Sequence, residues 1–259
     1  MSELVLIERN AYDIDGAVLL TLNRPDAFNA LSEAMLDALE RAFEEIAASD
    51  ARVVVLAGAG RAFCAGHDLK EMRAEPALAY YRALFEHCSR TMLAIQRMPQ
   101  PVIARVHGVA TAAGCQLVAM CDLAVASSDA RFAVSGVNLG LFCSTPSVAL
   151  SRNVSRKAAF EMLVTGEFID AATAHERGLV NRVASPDELD DAVRTLAATI
   201  AAKPREAVAA GKGLFYRQLE GGIEAAYALA SETMACNMME DATLEGTQAF
   251  VEKRPPRWK

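Results

Sequence analysis

The stretch from Pro101 to Arg152 restricts the fold of this chain more than any other. It begins with an apolar β-type run, Val102 to Val106, passes through a turn of small residues, Thr111 to Gly114, and enters an uncharged helix-like segment, Cys115 to Met120. A buried helix that follows a strand through such a turn leaves backbone N–H groups uncovered at its positive end. The stretch therefore predicts a binding site for a negatively charged oxygen atom.

A second turn of small residues, Gly58 to Asp68, follows the strand-like run from Arg52 to Ala57. Two N–H donors that come from separate turns and converge on one oxygen can stabilise that oxygen as it becomes an enolate. Repeated strand–helix–strand units of this kind predict an α/β fold with right-handed crossovers.

Composition and charge narrow the class of protein. The chain has 259 residues, of which 53% are hydrophobic, so it is long enough to bury a sizeable core. Its net charge of −7 and its scattered Lys and Arg side chains argue against a nucleic-acid surface. No apolar run reaches the roughly 18 residues that span a bilayer, and the acidic first twenty residues suit neither a signal nor a transit peptide. We therefore expect a cytoplasmic protein that does not bind a membrane.

The six cysteines show no metal-ligand spacing, which favours reduced, mostly buried thiols and predicts no metal site. The periodicity predicts a hairpin of residues 3–9 and 18–22, a helix capped by Ser32, and a long helix from Pro76 to Met98. Beyond Arg156 the pattern is almost wholly helical. We expect an α/β core over residues 1–200 and a helical region over residues 201–259 that serves oligomerisation and completes the binding site.

Motifs along nearly the whole chain resemble those of the crotonase (enoyl-CoA hydratase/isomerase) family. The matching segments occur in the family's order: 22–25, 28–31, 61–70, 107–122, 163–166, 178–180 and 246–254. The resemblance implies the crotonase (ClpP-like) fold, a spiral of ββα units with a C-terminal helical extension. It also implies an acyl-CoA thioester as substrate, no cofactor besides the CoA that the substrate carries, and assembly as a homotrimer or a dimer of trimers.

The resemblance also assigns site residues. It makes the backbone N–H groups of His67 and Ala113 the two oxyanion donors, with a side-chain role for the His67 imidazole as the lesser alternative. The residues that it implies along the CoA are Arg24, Ala65, His67, Asp68, Leu69, Lys70, Phe250 and Lys253, the last two sometimes serving a neighbouring subunit.

The chain differs from the family's hydratases at both acid–base positions. The resemblance places the two glutamates of those enzymes at Gln116 and Gly136, and neither residue can carry a proton in the required way. The chain is therefore predicted to be a divergent member, nominally an enoyl-CoA hydratase (a lyase of fatty acid metabolism) with weak hydration. Two alternatives stay open: a decarboxylase of malonyl-type CoA, with polar contacts from His67, Gln116 and Ser144, and an acyl-CoA-binding protein without catalysis. Cys143 is interpreted as a packed thiol.

Overall fold

A six-stranded sheet forms the frame of the structure, a computed structural model that describes residues 3–258. The strands in chain order are β1 (Val5–Arg9), β2 (Ala17–Leu22), β3 (Val53–Gly58), β4 (Val102–Val106), β5 (Val109–Thr111), β6 (Leu123–Ser127), β7 (Arg131–Ala133), β8 (Ile169–Asp170) and β9 (Arg182–Ala184). The large sheet has the order β1-β2-β3-β4-β6-β9, in which only β1 and β2 are antiparallel. Strands β5, β7 and β8 form a second, small sheet. In the chain, β5 directly follows β4 and β7 directly follows β6.

Helices connect and cover the strands. They are α1 (Glu33–Ala47), α2 (Leu69–Ala74), α3 (Leu78–Arg97), α4 (Ala113–Met120), α5 (Ser144–Asn153), α6 (Arg156–Thr165), α7 (Ala171–Glu176), α8 (Leu189–Ala201), α9 (Arg205–Leu219), α10 (Ile223–Met238) and α11 (Asp241–Val251). None of the helices within residues 3–258 combines the length and apolar character needed to cross a membrane.

The large sheet separates two apolar layers. On one face, side chains such as Leu20 and Leu56 pack with Phe43 of α1 and with residues of α3 and α4. On the other face, side chains such as Val55 pack with Val193 of α8. All six residues of β3 are buried, as a continuous apolar run in a parallel strand requires. The turn that follows β3 is therefore fixed by a fully covered strand.

The hairpin and the first helix are confirmed. Strands β1 and β2 pair antiparallel, and the hydroxyl of Ser32 accepts a hydrogen bond from the backbone N–H of Met35 at the start of α1. The predicted helix from Pro76 begins only at Leu78, and the short helix α2 precedes it. Helix α5 has no side-chain cap, because Cys143 occupies the N-cap position and the hydroxyl of Ser144 donates to the Phe142 carbonyl.

A buried cation joins the C-terminal helices to the α/β region. The ammonium group of Lys212 on α9 donates to the carbonyl oxygens of Ile95 and Gln100, both at 2.8 Å, and to the carboxylate of Asp122 at 2.7 Å. The Tyr216 hydroxyl donates to the other oxygen of that carboxylate. Removing one partner of a buried ion pair strongly destabilises the folded protein. These contacts therefore fix the position of α9.

Helices α9 to α11 nevertheless expose much apolar surface. Large hydrophobic side chains that face solvent in this region are Phe215, Leu219, Ile223, Tyr227, Met234, Met238, Met239, Leu244, Phe250 and Val251. The division into residues 1–200 and 201–259 stays a prediction. The Lys212 contacts join α9, which belongs to the second range, to the α/β region.

Candidate active site

The two small-residue turns meet backbone to backbone. The N–H of Cys64 donates to the carbonyl oxygen of Val109, and the N–H of Thr111 donates to the carbonyl oxygen of Cys64 at 3.0 Å. A Cβ atom added to Gly114 would overlap the Cys64 carbonyl group. Glycine is therefore required at 114 for the second turn to reach the first.

Gly66 brings the second donor next to the first. It has φ +93°, and a Cβ atom built on it would lie 2.9 Å from the Ala112 Cβ and 3.1 Å from the Ala113 nitrogen. Because Gly66 directly precedes His67, the Ala113 nitrogen lies beside the start of the His67 segment. The structure thus brings together the two backbone groups that the sequence predicts as oxyanion donors.

The N–H groups of His67 and Ala113 are free to bind a ligand. Leu31 donates to the Gly66 carbonyl and accepts from the Asp68 N–H, a parallel bridge that leaves the N–H of the intervening His67 unused. Ala113 is the first residue of α4, where N–H groups have no intrahelical acceptor. Neither group donates a hydrogen bond to another part of residues 3–258.

A cavity of about 300 Å³ opens at these two groups. Its lining is formed by Ala65, His67, Leu69, Met72, Phe85, Ala112, Ala113, Ser135, Gly136, Leu139, Leu141, Phe142, Cys143, Ser144, Thr145 and Pro146. No Asp, Glu, Lys or Arg is among these residues of the described chain. The cavity is therefore apolar with a few neutral polar groups, of the kind that binds small organic ligands.

Burial keeps the titratable side chains of the cavity uncharged near neutral pH. It lowers the pKa of His67, whose ring packs edge-on against Phe85 with the ring centroids 5.6 Å apart. It raises the pKa of the Cys143 thiol, which accepts a hydrogen bond from the N–H of Gly136 at 3.3 Å. Cys143 is therefore a protonated, packed thiol, as the sequence suggested.

Gly136 cannot hold a larger side chain in this structure. A Cβ atom built there would lie 2.5 Å from the carbonyl oxygen of Leu141 and 2.7 Å from the Cys143 sulfur. Gln116 is buried on α4, its amide oxygen has no partner within the described residues, and it does not line the cavity. Neither residue offers an ionisable group to the cavity.

The predicted CoA-binding residues fall into three groups. Ala65, His67 and Leu69 line the cavity. Arg24, Asp68 and Lys70 lie just outside it, and the guanidinium of Arg24 binds the buried carboxylate of Asp68 at 2.7 Å. Phe250 and Lys253 are exposed on or after α11, which packs on α10, and neither lines this cavity.

Asn29 is a structural residue that the sequence reasoning did not single out. It is fully buried with φ 55°, and its amide nitrogen donates to the carbonyl oxygens of Ala59 and Ala62 at 2.9 and 2.8 Å. Its amide oxygen accepts from the N–H of Arg24. In the sequence, Asn29 interrupts an apolar run between Phe28 and two apolar residues. A polar side chain buried within such a run must form hydrogen bonds, so this interruption could have identified Asn29 as a structural residue.

A larger and more open cavity, of about 710 Å³, lies near the carboxyl ends of β3 and β4. Two of its charged side chains pair with each other, since Arg105 binds Asp190, and the ring of His107 contacts the carbonyl of Gly60. The described residues contain no group of three or more His, Cys, Asp or Glu side chains able to hold a metal ion. We place the candidate site in the smaller cavity because the unused N–H groups of His67 and Ala113 converge there.

Comparisons with known proteins agree with the fold described above. The family model for enoyl-CoA hydratase/isomerase matches residues 14–259. The crystal structure of an enoyl-CoA hydratase from Mycobacterium smegmatis is 66% identical, with a TM-score of 0.97 over 99% of both chains. That of human enoyl-CoA hydratase domain-containing protein 3 is 44% identical, with a TM-score of 0.94 over 98% of this chain and 100% of that one. The predicted crotonase fold is confirmed.

The comparisons correct the predicted location. A rat relative, 45% identical over 245 residues (94% of this chain and 82% of the relative), is named mitochondrial enoyl-CoA hydratase domain-containing protein 3. Mouse and human relatives, each 44% identical, carry the same mitochondrial name. The expected cytoplasmic location is therefore wrong, and the acidic first twenty residues were not a valid basis for it.

Ala112 is strained, which gives a prediction about stability. Its φ of 50° and ψ of −120° are favourable only for glycine. We expect Ala112→Gly to raise the free energy of unfolding by about 1 kcal/mol, because relief of strain exceeds the entropy cost of glycine. The control is Ala119→Gly inside helix α4, which should lower the free energy of unfolding by about 1 kcal/mol. Urea denaturation measures both, and a loss of stability in both variants would contradict the assigned strain.

The Arg24–Asp68 pair predicts a pH-dependent contribution to stability. Burial alone would raise the pKa of Asp68, but Arg24 and the N–H groups of Lys70 and Glu71 together lower it below 3.8. A lowered carboxyl pKa stabilises the fold above pH 3.8, and this stabilisation is lost as the pH falls through the folded-state pKa. We expect Arg24→Gln to cost roughly 1 kcal/mol at pH 7 and progressively less in the acid range.

Urea denaturation at pH 7 and at successively lower pH values measures this difference. The exposed Lys70 provides the control, since Lys70→Gln should change stability by less than about 0.5 kcal/mol at every pH. An Arg24→Gln cost that stays constant down to the acid unfolding of the protein would refute the assignment.

Proposed function

We propose, from the premise that this chain belongs to the enoyl-CoA hydratase/isomerase family, that it binds an acyl-CoA thioester and stabilises its enolate. The observation that carries the proposal is the pair of unused N–H groups, those of His67 and Ala113, at the wall of one apolar cavity. The thioester oxygen would accept hydrogen bonds from both. As negative charge develops on that oxygen, each preformed donor contributes about 3 kcal/mol to lowering the barrier.

The position of α4 supports the same role. The helix begins at Ala113, so its positive end faces the proposed oxygen site. No charged side chain of the described residues lines the cavity, so the helix dipole and the two N–H groups act in a low-dielectric environment, in which their interaction with an anion is stronger. Ala65 and Leu69 would flank the pantetheine side, and the exposed Lys70 would meet a phosphate of CoA. Arg24 is a weaker phosphate candidate, because Asp68 already pairs with it.

The nominal reaction is hydration of an enoyl-CoA, and we expect it to be slow. Hydration requires a base for water and an acid for the α-carbon. The described residues that line the cavity include no carboxylate, and Gly136 has no room for one. Replacing Gly136 by Glu would therefore displace the Leu141 backbone rather than restore an acid.

The lining also favours a second candidate, decarboxylation of a malonyl-type thioester. In that reaction the bond between the α-carbon and the carboxylate breaks, its electron pair forms the enolate, carbon dioxide leaves, and a solvent proton then adds to the α-carbon. The step requires an oxyanion hole but no base. Uncharged polar groups at His67 and Ser144 are available to orient the carboxylate.

The test is a mass-spectrometric screen of the purified protein against crotonyl-CoA, octenoyl-CoA, malonyl-CoA and methylmalonyl-CoA, with CoA affinity measured by calorimetry. We expect CoA binding and turnover of at least one thioester. Gly66→Ala should lower that turnover by about 100-fold, since its Cβ would press on the Ala113 donor. The control is Gly213→Ala on α9, where an added Cβ meets no atom and activity should be unchanged.

The outcomes of this screen separate the alternatives. Water addition supports the hydratase, and loss of carbon dioxide supports the decarboxylase. CoA binding without turnover of any thioester supports a binding protein without catalysis. Absence of CoA binding would refute the proposal as a whole.

The exposed apolar residues of α9 to α11 support a further element of the proposal, assembly of the chain with copies of itself. An exposed apolar surface of this extent is typical of a subunit interface. We expect a homotrimer or a dimer of trimers, in which Phe250 and Lys253 lie close to a neighbouring cavity. Sedimentation equilibrium should give the mass of three or six chains, and a monomer at micromolar concentration would refute the assembly.

A further inference from the structure

His107 binds the first of the two small-residue turns through its side chain. Its Nε2 atom lies 2.8 Å from the carbonyl oxygen of Gly60, and its Nδ1 atom lies 3.3 Å from a guanidinium nitrogen of Arg105. A carbonyl oxygen only accepts hydrogen bonds, and a guanidinium only donates them. The ring is therefore the neutral tautomer with its proton on Nε2, which donates to Gly60 while Nδ1 accepts from Arg105.

Arg105 is itself fixed by a second partner. Its Nε and Nη2 atoms donate to the two oxygens of the Asp190 carboxylate, at 2.6 and 2.8 Å. The Tyr12 hydroxyl donates to the same carboxylate at 3.3 Å. A two-point contact between a guanidinium and a carboxylate fixes orientation as well as distance. The guanidinium thus presents one N–H group to His107 from a fixed direction, and that N–H group selects the tautomer of the ring.

The contact with Gly60 completes the hydrogen bonds that hold the first turn. The buried amide of Asn29 binds the carbonyl oxygens of Ala59 and Ala62, which flank Gly60 in the chain. The Gly60 carbonyl oxygen, between them, accepts from the ring of His107. The turn is therefore held by side chains from two different parts of the sequence.

The backbone after His107 contacts the same turn. A Cβ atom added to Gly108 would overlap the Arg61 carbonyl oxygen, so the two segments touch there. The carbonyl oxygen of Val109 accepts a hydrogen bond from the N–H of Cys64. One short segment thus contacts the first turn at several places, through its side chain as well as its backbone.

These contacts fix the two oxyanion donors relative to each other. The first turn continues from Gly60 to the His67 N–H, and the segment after His107 continues to the Ala113 N–H. A displacement of one turn relative to the other would change where the two N–H groups meet a bound oxygen. His107 does not line the 300 Å³ cavity, so it acts on a ligand there only through the turns.

We propose that His107 is a positioning residue of the candidate oxyanion site. As a neutral ring held by Arg105, it fixes the first turn at Gly60 and so keeps the N–H groups of His67 and Ala113 directed at one point. This inference rests on the proposed binding of an acyl-CoA thioester at these two groups. It adds a residue outside the cavity on which the geometry of the donors depends.

Two substitutions separate the hydrogen bonds of the ring from its bulk. His107→Leu removes both hydrogen bonds, whereas His107→Gln retains an N–H donor for Gly60 and a carbonyl acceptor for Arg105. We expect His107→Leu to lower kcat for a thioester that the protein turns over by about tenfold, because a displaced donor stabilises the transition state less. KM should stay within about twofold, since the walls of the cavity are unchanged. His107→Gln should recover kcat to within about threefold of the unaltered protein.

The carbonyl stretch of a bound thioester reports on the donors without any turnover. The probe is butyryl-CoA, isotopically labelled at the thioester carbon and measured by isotope-edited infrared spectroscopy. Hydrogen bonds from two fixed N–H groups polarise the C=O bond and lower its stretching frequency below that of the probe in water. We expect His107→Leu to lose about half of this shift, because one of the two donors is displaced, and His107→Gln to retain it.

Asp190 provides a second test, which decides the matter if His107→Leu does not fold. Its side chain is exposed at the start of α8, so Asp190→Ala releases Arg105 without disturbing the core. We expect this variant to lower kcat by about threefold and to reduce the infrared shift in the same direction. The matched control is Asp191→Ala, the next residue of the same helix, which pairs with Arg194 and should change neither quantity.

The outcomes distinguish this inference from the proposed function. If butyryl-CoA does not bind, or binds to the unaltered protein without a shift, the proposed function fails and the inference fails with it. A full shift and a normal kcat in both His107→Leu and Asp190→Ala would overturn the inference alone. Lower stability of His107→Leu in urea, with shift and rate retained, would also overturn it, because the ring would then serve only the fold. A His107→Gln variant as impaired as His107→Leu would exclude the hydrogen bonds as the cause.

Discussion

The approach of two backbone turns at Cys64 and Gly114 is the constraint on which the rest of the site depends. Strands β3 and β4 are parallel neighbours, so the turns that follow them emerge at the same edge of the sheet. Contact then requires that one turn carry no Cβ where it meets the Cys64 carbonyl, and Gly114 meets that condition. Hydrogen bonds from Cys64 to Val109 and from Thr111 to Cys64 hold the two turns together. The positions of both candidate donors follow from this junction.

The surroundings fix the donors before any ligand arrives. Ala112 is kept in a conformation that costs free energy, with its N–H bound to the Ala133 carbonyl. On the other side, the buried amide of Asn29 binds the first turn at two carbonyl oxygens. Donors held in this way need no reorganisation when charge appears on a bound oxygen, and this is the condition under which an oxyanion site is effective. The strained backbone of Ala112 and the buried amide of Asn29 thus both hold the donors in position.

Local pattern was sufficient for much of the fold. The apolar run of β3, the helical spacing after Ser32 and the turn before α4 each identify an element without knowledge of its neighbours. Short strands such as β5 and β8 contain too few residues to show a periodic pattern, so only their pairing with β7 identifies them. Lys212 reads in sequence as a solvated charge, and only the packing of α9 against Asp122 reveals it as buried.

The site shows the same division. The donors at His67 and Ala113 could be named because turn, strand and helix are adjacent in sequence, and the resemblance gave their register. The sequence also marked Gly136 as a missing acid, but not that Leu141 and Cys143 close the space around it. That closure depends on contacts between residues of a folded loop, which no periodic pattern encodes. The fold of a protein does not determine its location in the cell. The acidic first twenty residues therefore gave a wrong prediction of location.

The apolar cavity links the two unusual features of this site, its free N–H donors and its lack of a carboxylate. A low-dielectric lining strengthens the attraction between fixed dipoles and a negative oxygen. The same lining makes a permanent carboxylate costly, because burial without a charged partner raises its pKa until it is neutral. His67 and Cys143 follow this rule, since burial lowers the pKa of His67 and raises the pKa of Cys143, and both shifts favour the uncharged form. The site is therefore better suited to stabilising a charge that forms on the substrate than to holding one of its own.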